Sequence, residues 1–470
     1  MSGLEAVEVK LSEVKTSSDI LRVDSFFFAK EFLHDKQKLL EMKSCDLSFV
    51  CDDLRSFGAY SLNNDVTYRD SGIPFIRCVN MRNGFIDFSD LLYIDKQANE
   101  LLCKSAIKPN TVLLSMSGSV GNVAYAQENW DYPINSNQDI AKILFNDSYN
   151  PYVAYVFMLS KFGQNFMIRE ARGSVQQHVY LSQIEKMRLP IFSNNFCKAI
   201  ERAVRLSHAA RDNAGDLYKS AESLLLAELG LGDFTPSAEP VAVKSFSESF
   251  GASGRLDAEY YQPKYEDVLF AISNSKTDLL SNLVLIKKSI EPGSSEYTDE
   301  GIPFVRVSDI TKFGITNPEI HISRVPFANM ELQPIKDTIL FTKDGTVGIA
   351  YKAEKDMDIV TSSAILHLTV KDKNELLPDY LTLVLNSMIV QMQAERDTGG
   401  SVIIHWRPSD IGNVVIPILE KHKQEEIADL VQQSFDYRFQ SEQLLETAKH
   451  VVEIAIEQGE ASAIQLLQEV

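Results

Sequence analysis

The chain is poor in cysteine, short of positive charge, and lacks any hydrophobic run long enough to cross a bilayer. Its five cysteines, Cys45, Cys51, Cys78, Cys103 and Cys197, all lie in the first half and include no C-x-x-C pair. That distribution excludes a disulfide scaffold or a repeated metal knuckle, so reduced cytosolic thiols are expected. No stretch of about 18 apolar residues occurs, and Met1-Ser2-Gly3-Leu4-Glu5 lacks the basic-then-apolar opening of an export signal. A cytoplasmic protein without a membrane partner is expected. Lys and Arg number 46 against 65 Asp and Glu, a formal net charge of -19. Such a balance runs against nucleic-acid binding unless the cations gather on one face, because a phosphate-neutralising surface normally leaves a basic footprint.

Motifs that carry chemistry are missing as well. There is no Gly-Lys-[Ser/Thr] phosphate loop, no G-x-G-x-x-G after a strand, no His-Glu-x-x-His, no Asn/Asp-Pro-Pro-Tyr methylation loop and no Cys/His cluster. Neither catalysis, nor a metal, nor a cofactor is expected of this chain.

What the sequence does hold is an internal repeat, in a chain of 470 residues that is 44% hydrophobic and large enough for two or three cores. Arg22-Val23-Asp24-Ser25-Phe26-Phe27 matches Arg255-Leu256-Asp257-Ala258-Glu259-Tyr260, and Gly72-Ile73-Pro74-Phe75-Ile76-Arg77 matches Gly301-Ile302-Pro303-Phe304-Val305-Arg306. Further on, Gly118-Ser119-Val120-Gly121 matches Gly345-Thr346-Val347-Gly348, and Gly173-Ser174-Val175 matches Gly400-Ser401-Val402, both 227 residues apart. His178 falls on His405 in that register, and Leu189-Pro190-Ile191 on Ile416-Pro417-Ile418. Two units, about 1–232 and 240–470, follow, joined through the Pro-rich stretch Phe234 to Pro240.

Within each unit short β-rich runs alternate with helical ones, a mixed α/β class. Val112-Leu113-Leu114 and Thr338-Ile339-Leu340-Phe341 read as buried strands entering Gly-rich turns, while Tyr152 to Phe166 and Leu381 to Glu395 have helical spacing. Each unit closes on a heptad-like seam: Ile200, Ala203, Ser207, Ala210, Ala214, Leu217, Ala221 and Leu224, then Ile427, Leu430, Ser434, Tyr437, Ser441, Leu444, Ala448 and Val451. Roughly 34 residues at about 1.5 Å each make a rod of about 50 Å. Two such rods either pair antiparallel or pack each on its own domain.

With two globular units each followed by a long seam-bearing helix, the chain resembles the DNA-specificity subunit of Type I restriction-modification systems. The matching elements are the G-I-P-F-[IV]-R strand, the G-[ST]-V-G turn, and the R-G-S-V…L-S-Q-I…L-P-I segment feeding the first helix. The resemblance implies two tandem target-recognition domains, at 1–192 and 242–419, joined by two long antiparallel coiled-coil helices, at 193–232 and 420–458, with a linker at 233–241 and a tail at 459–470. It implies that each domain reads one half of a split, asymmetric site on double-stranded DNA. The helices would act as a ruler and dock two modification (methyltransferase) subunits, with restriction subunits optional. S-adenosylmethionine, ATP and Mg belong to those partners, not to this chain. A rod of about 50 Å exceeds one B-DNA turn of about 34 Å, as a gapped site requires.

Candidate DNA contacts follow from residue chemistry. Gly118 and Gly121, like Gly345 and Gly348, suit turns that expose N–H groups to a phosphate oxygen, with Ser119 and Thr346 adding hydroxyls; the alternative is a purely structural turn. Arg172, Ser174, Gln176, Gln177 and His178 form a polar loop, and Arg and Gln have the geometry for guanine and adenine edges. The second copy offers Ser401, His405 and Arg407, and either His serves as reader or as support for the fold. Arg77 and Arg306 follow identical strands, as DNA-backbone contacts or as structural ion-pair members. Arg82, Lys312 and Lys343 complete the set, and the contrast of Met81-Arg82-Asn83-Gly84 with Ile310-Thr311-Lys312-Phe313 is a place to look for differing specificity. Ile200, Leu217, Leu224, Ile427, Leu430, Leu444 and Val451 are the expected seam.

Overall fold

The computed structural model describes residues 7–18, 20–56, 66–173, 176–239, 241–316, 318–327, 331–398 and 404–467. The chain divides into two compact units, Met1–Arg211 with Phe439–Val470, and Asp212–Arg438. These units cut through both long helices rather than falling at the repeat junction. Each therefore owns one repeat's globular part and a stretch of each helix.

In the first unit an antiparallel sheet has the order Cys51–Arg55, Ile140–Phe145, Thr111–Ser115, Val123–Ala126. Thr111–Ser115 is buried along its whole length, as expected for an apolar strand covered on both faces. Beside it Ile73–Ile76 pairs antiparallel with Leu92–Ile94 and parallel with Asn135–Ser136. The second unit repeats this order with Val284–Lys288, Ile365–Val370, Ile339–Thr342 and Ala350–Lys352. Its Ile302–Val305 strand likewise pairs antiparallel with His321–Ile322 and parallel with Val360–Thr361. Strands Arg188–Pro190 and Val415–Pro417 end at the prolines noted in the sequence, just ahead of the long helices Asn194–Glu228 and Lys421–Gln458.

The helical stretches before those strands are each two helices, not one. Pro151–Leu159 and Lys161–Glu170 meet at Ser160, and Pro378–Asn386 and Met388–Asp397 meet at Ser387, both serines extended. Ser160 Oγ donates to Phe157 O at 2.6 Å and Ser387 Oγ to Val384 O at 2.7 Å, so at each break a hydroxyl joins the serine's own N–H on one carbonyl. The R-x-D motif also acquires a role. Arg22 clasps Asp24 and donates to Arg169 O at 2.9 Å, while Arg255 clasps Asp257 and donates to Asp397 O at 3.2 Å. In both copies an arginine caps a helix C-terminus where carbonyls lack partners.

Within each unit the long helices run antiparallel. In the first, Ser207 Oγ donates to Ser441 O at 2.7 Å and Ser193 N to Glu460 at 2.8 Å; in the second, Ser434 Oγ donates to Ala214 O at 2.7 Å and Lys423 pairs with Glu228 at 2.9 Å. Ser207, Ala210, Ala214, Ala221, Ser434, Ser441 and Ala448 are all buried, so small side chains let the backbones approach. Ile200, Ile427, Leu444 and Val451 are buried as the seam predicts, and Leu217, Leu224 and Leu430 are half-buried. Tyr437 departs from the seam and is exposed. A second row is buried instead, Val204, Tyr218, Leu225, Val431, Leu445 and Val452, because each helix also covers the core of its unit. Pairing and packing on the domain thus both occur, and a strict heptad cannot describe a helix with two buried faces.

Residues 459–470, expected as a tail, hold the helix Glu460–Leu467, set off by Gly459 at φ 94 and anchored through buried Ala463. All five cysteines are free thiols. Among the described residues no helix is long and apolar enough to cross a membrane.

Candidate nucleic-acid interface

In each unit the fully buried strand of the main sheet leaves the core into the glycine turn. Gly118 lies at φ 72 and Gly345 at φ 72, and a Cβ at either would meet nothing within 4 Å. These first glycines face open space. The second pair does not. Gly121 and Gly348 sit at φ 90 and φ 84, and a Cβ there would lie 2.9 Å from Gln164 Oε1 or 2.7 Å from Gln391 Nε2. Gly121 N donates to Ser115 O at 3.0 Å, and Gly348 N to Thr342 O at 2.9 Å, closing the turn. Gln164 Nε2 donates to Gly121 O at 2.9 Å and Met158 O at 2.7 Å; Gln391 Nε2 donates to Gly348 O at 2.7 Å and Leu385 O at 3.1 Å. A single glutamine, on the second of the paired helices, therefore fixes each turn to the break in those helices.

The histidine loop returns to the same place. Arg172 and His178 exchange backbone hydrogen bonds of 2.9 and 2.7 Å, Ser117 bridges His178, and Val179 N donates to Met116 O at 2.9 Å. In the second unit Asp344 bridges His405, Gly345 N donates to Ile404 O at 2.9 Å and Trp406 N to Lys343 O at 2.8 Å. Two motifs that are roughly 60 residues apart in sequence thus form one edge. Gly173, at φ 118, sits where a Cβ would lie 2.2 Å from Gln176 O, so the loop's tight return demands glycine. Ser174 and Ser401 lie outside the described residues.

The edge continues through a segment that sequence reasoning missed. Asn137 N donates to Ile76 O at 3.0 Å and Met116 N to Asp139 O at 2.7 Å, which lines up the start of the Arg77 turn, Asn137-Gln138-Asp139, the glycine turn and the histidine loop. In the second unit Ser362 N to Val305 O and Lys343 N to Ala364 O, both 2.8 Å, repeat the arrangement. The run of amides in Asn135-Ser136-Asn137-Gln138 was the available signal, but the repeat obscures it, because the second copy reads Val360-Thr361-Ser362-Ser363.

Exposed side chains differ between the copies. The first unit presents Ser119, Gln176 and Gln177, with His178 half-buried and edge-on to Tyr180 at 4.6 Å. The second presents Thr346, His405 and Arg407. Their cations are largely committed. Lys343 pairs with Asp344, whose other oxygen lies 2.8 Å from His405 Nδ1; Arg407 meets Asp410 at 2.8 Å and Arg306 meets Asp309 at 3.6 Å. Arg77 is half-buried at the head of its turn, its backbone N donating to Asn80 Oδ1 at 2.9 Å. Burial pushes the Asp139 carboxyl upward, and the His178 charge opposes this. Beneath this edge Lys142 is buried with its Nζ unpartnered, and burial pulls its ammonium down to about 7.

Two expected contacts go elsewhere. Lys312 lies 3.5 Å from Glu222 and over the Tyr218 ring at 4.5 Å, and Phe313 packs against Tyr218 and Phe435. Arg82 donates to Val79 O at 3.0 Å, on a hairpin whose Gly84 accepts from Tyr155 Oη at 2.7 Å and whose Phe85 stacks under Arg211. These hairpins are docked on the long helices. Among the described residues no group of side chains is arranged to hold a metal.

The model of the Type I restriction modification DNA specificity domain matches residues 55–193 and again 280–448, together more than half of the chain. Similar solved structures include the S subunit of a Type-I restriction-modification system from M. genitalium, at 15% identity over 90% of this chain and 95% of that one, TM-score 0.33. Another is the HsdS subunit from Thermoanaerobacter tengcongensis, at 14% identity over 89% of this chain and 97% of that one, TM-score 0.30. No curated protein matches.

Proposed function

The chain belongs to the Type I restriction modification DNA specificity domain family and carries the domain twice; from that premise we propose that it reads a split, asymmetric duplex sequence, one half-site per unit, and brings two modification subunits to it. The observation that carries this reading is the pair of edges, alike in backbone and different in exposed side chains. In each, the exposed tip of the glycine turn, Ser119 or Thr346, meets a DNA phosphate, the N–H groups of Gly121, Gly345 and Gly348 being already hydrogen-bonded within the edge, and the neighbouring loop, with Gln176 and Gln177 or with His405 and Arg407, meets base edges. Arg77 and Arg306 position the backbone from the adjoining turn. The antiparallel helices set the gap between half-sites and form the docking surface for the partners.

The chain itself performs no chemistry in this proposal. Methyl transfer from S-adenosylmethionine belongs to the modification subunits, and any ATP- and Mg-dependent cleavage to a restriction subunit. Mapping adenine methylation across the host genome with and without the gene tests the reading. Loss of one split, asymmetric motif is expected; an unchanged methylation pattern with the partner genes expressed refutes it.

A second reading, a scaffold whose units have given up DNA, is favoured by the net charge of -19 and by the paired cations of the second edge. A purified complex that ignores duplex sequence even at low salt would select it.

A further inference from the structure

The first unit contains a half-open cavity of about 460 Å³, bounded by the helices Leu11–Ser17, Lys30–Glu41 and Lys161–Glu170. That volume lies within the usual range for small-molecule sites, roughly 300–1,000 Å³. Its apolar wall is aromatic, Phe32, Phe162 and Phe166. Its polar side mixes neutral groups with charged ones, and the cations Lys36, Arg169, Arg172, Lys186 and Arg188 outnumber the acids Asp35, Asp46 and Glu170.

Three features of that side stand out. Arg169, only 7% exposed, lines the cavity, and its Nη2 has no hydrogen-bond partner. Arg172, another lining residue, leaves its buried Nε unpartnered in the same way. Lys36 borders the cavity at its exposed rim, and desolvation together with the Arg169 charge lowers its ammonium below the usual range. Buried N–H donors without partners are rare in folded proteins and call for an occupant or a structural reason. The nearby acids are already engaged: Asp35 accepts from Asn165 at 2.8 Å, and Glu170 accepts from Gln183 at 3.1 Å and faces Arg169 at 3.7 Å.

The second unit shows that the fold does not require this polarity. In the register that places Arg22 on Arg255, Asp35 falls on Val268 and Lys36 on Leu269; in the 227-residue register Asn165 falls on Met392. Val268 and Met392 are buried there in the hydrophobic core. The second copy replaces these three side chains with hydrocarbon and keeps an ion pair, Arg396 with Asp397, in the place of Arg169 and Glu170, while the first keeps an ionic, partly open space at the cost of desolvating charge.

We propose that this cavity is a binding site for a small aromatic acid, its ring against Phe32, Phe162 and Phe166 and its carboxylate toward Lys36, Arg169 and Arg172. The anion supplies the acceptors that the two guanidinium groups lack, and the rings supply the apolar contact. Titration calorimetry on the full chain tests this with indole-3-acetate and 1-naphthoate, each against its neutral amide. Each acid is expected to bind at least about tenfold more tightly than its amide, and Lys36→Met to weaken the acid alone. The combined variant Asp35→Val, Lys36→Leu and Asn165→Met installs the second unit's own residues; it should melt no lower than the parent and bind neither acid. Equal affinity for acid and amide, no heat with any probe, or acid binding unchanged in the Lys36→Met chain would overturn the assignment.

Discussion

One structural position is built in two ways in the two units. In the first, Tyr125 donates to Asn110 Oδ1 at 3.1 Å and stacks on Tyr152 at 4.6 Å. In the second, the residues 227 further on are Lys352, Asp337 and Asp379, and the buried lysine lies 2.9 Å from Asp379, 3.1 Å from Glu354 and 3.9 Å from Asp337. A neutral aromatic site and a buried ionic one serve the same strand end. The hairpin seats differ too. His208 packs against Phe85 at 5.6 Å, while Phe435 packs against Phe313 at 6.3 Å, with Arg211 and Arg438 over the respective phenylalanine rings. The two copies therefore agree in backbone and diverge in what fills it. A scaffold that tolerates such exchange in its core can also vary the loops of its edges without losing its fold.

Lys352→Met should cost about 3 kcal/mol in chemical denaturation, because it leaves the half-buried Asp379 and Glu354 without their countercharge, while Asp337 keeps Lys373. Replacing the whole set by its counterparts, Lys352→Tyr, Asp337→Asn, Glu354→Gln and Asp379→Tyr, should cost less, within about 1.5 kcal/mol if volume and hydrogen bonding are recovered. A quadruple variant as unstable as the single one would show that the two sites are not interchangeable.

His208 offers a pH-dependent contrast. Burial, then the Arg211 and Arg205 charges, lower its pKa from 6.5 to about 4, so the folded protein holds it neutral. Below about pH 6.5 the unfolded chain takes a proton that the folded chain refuses, so stability falls as the pH drops toward 4. Between pH 7 and pH 5 the loss attributable to this residue is about 2 kcal/mol. His208→Phe, copying Phe435, should remove that part of the acid limb; an identical pH profile in the variant would contradict the burial argument.

The glycine turns separate next. Gly121→Ala and Gly348→Ala each combine a positive φ with a contact to the clasping glutamine and should cost about 1–3 kcal/mol. Gly118→Ala and Gly345→Ala meet open space and should cost only the left-handed backbone, about 1 kcal/mol. The smallest expected effect is ionic. With Lys343, Arg306 and Arg407 already paired, the logarithm of DNA affinity should fall with the logarithm of salt at a slope corresponding to only about two or three phosphates. A steep slope would place the phosphate contacts elsewhere.

Much of this was legible in the sequence because the repeat pairs like with like. The matched strands, the prolines before the long helices and the small residues of their seam all lie where the pattern puts them. What remained hidden depends on contacts between distant segments. Nothing local in Ser117 or Asp344 announces the bridge to His178 or His405, and Gln164 and Gln391 look like ordinary helical residues. Lys312 reads as a free loop cation until Glu222 and Tyr218 appear beside it. Tyr437 leaves the seam because a helix buried on two faces does not keep one heptad.

In the proposed function the two edges read their half-sites independently. Gln176→Ala with Gln177→Ala, introduced at the chromosomal locus, should alter the methylated motif mapped by single-molecule sequencing in one half-site only, leaving the other half and the gap intact. Changes in both halves, or in neither, would contradict it.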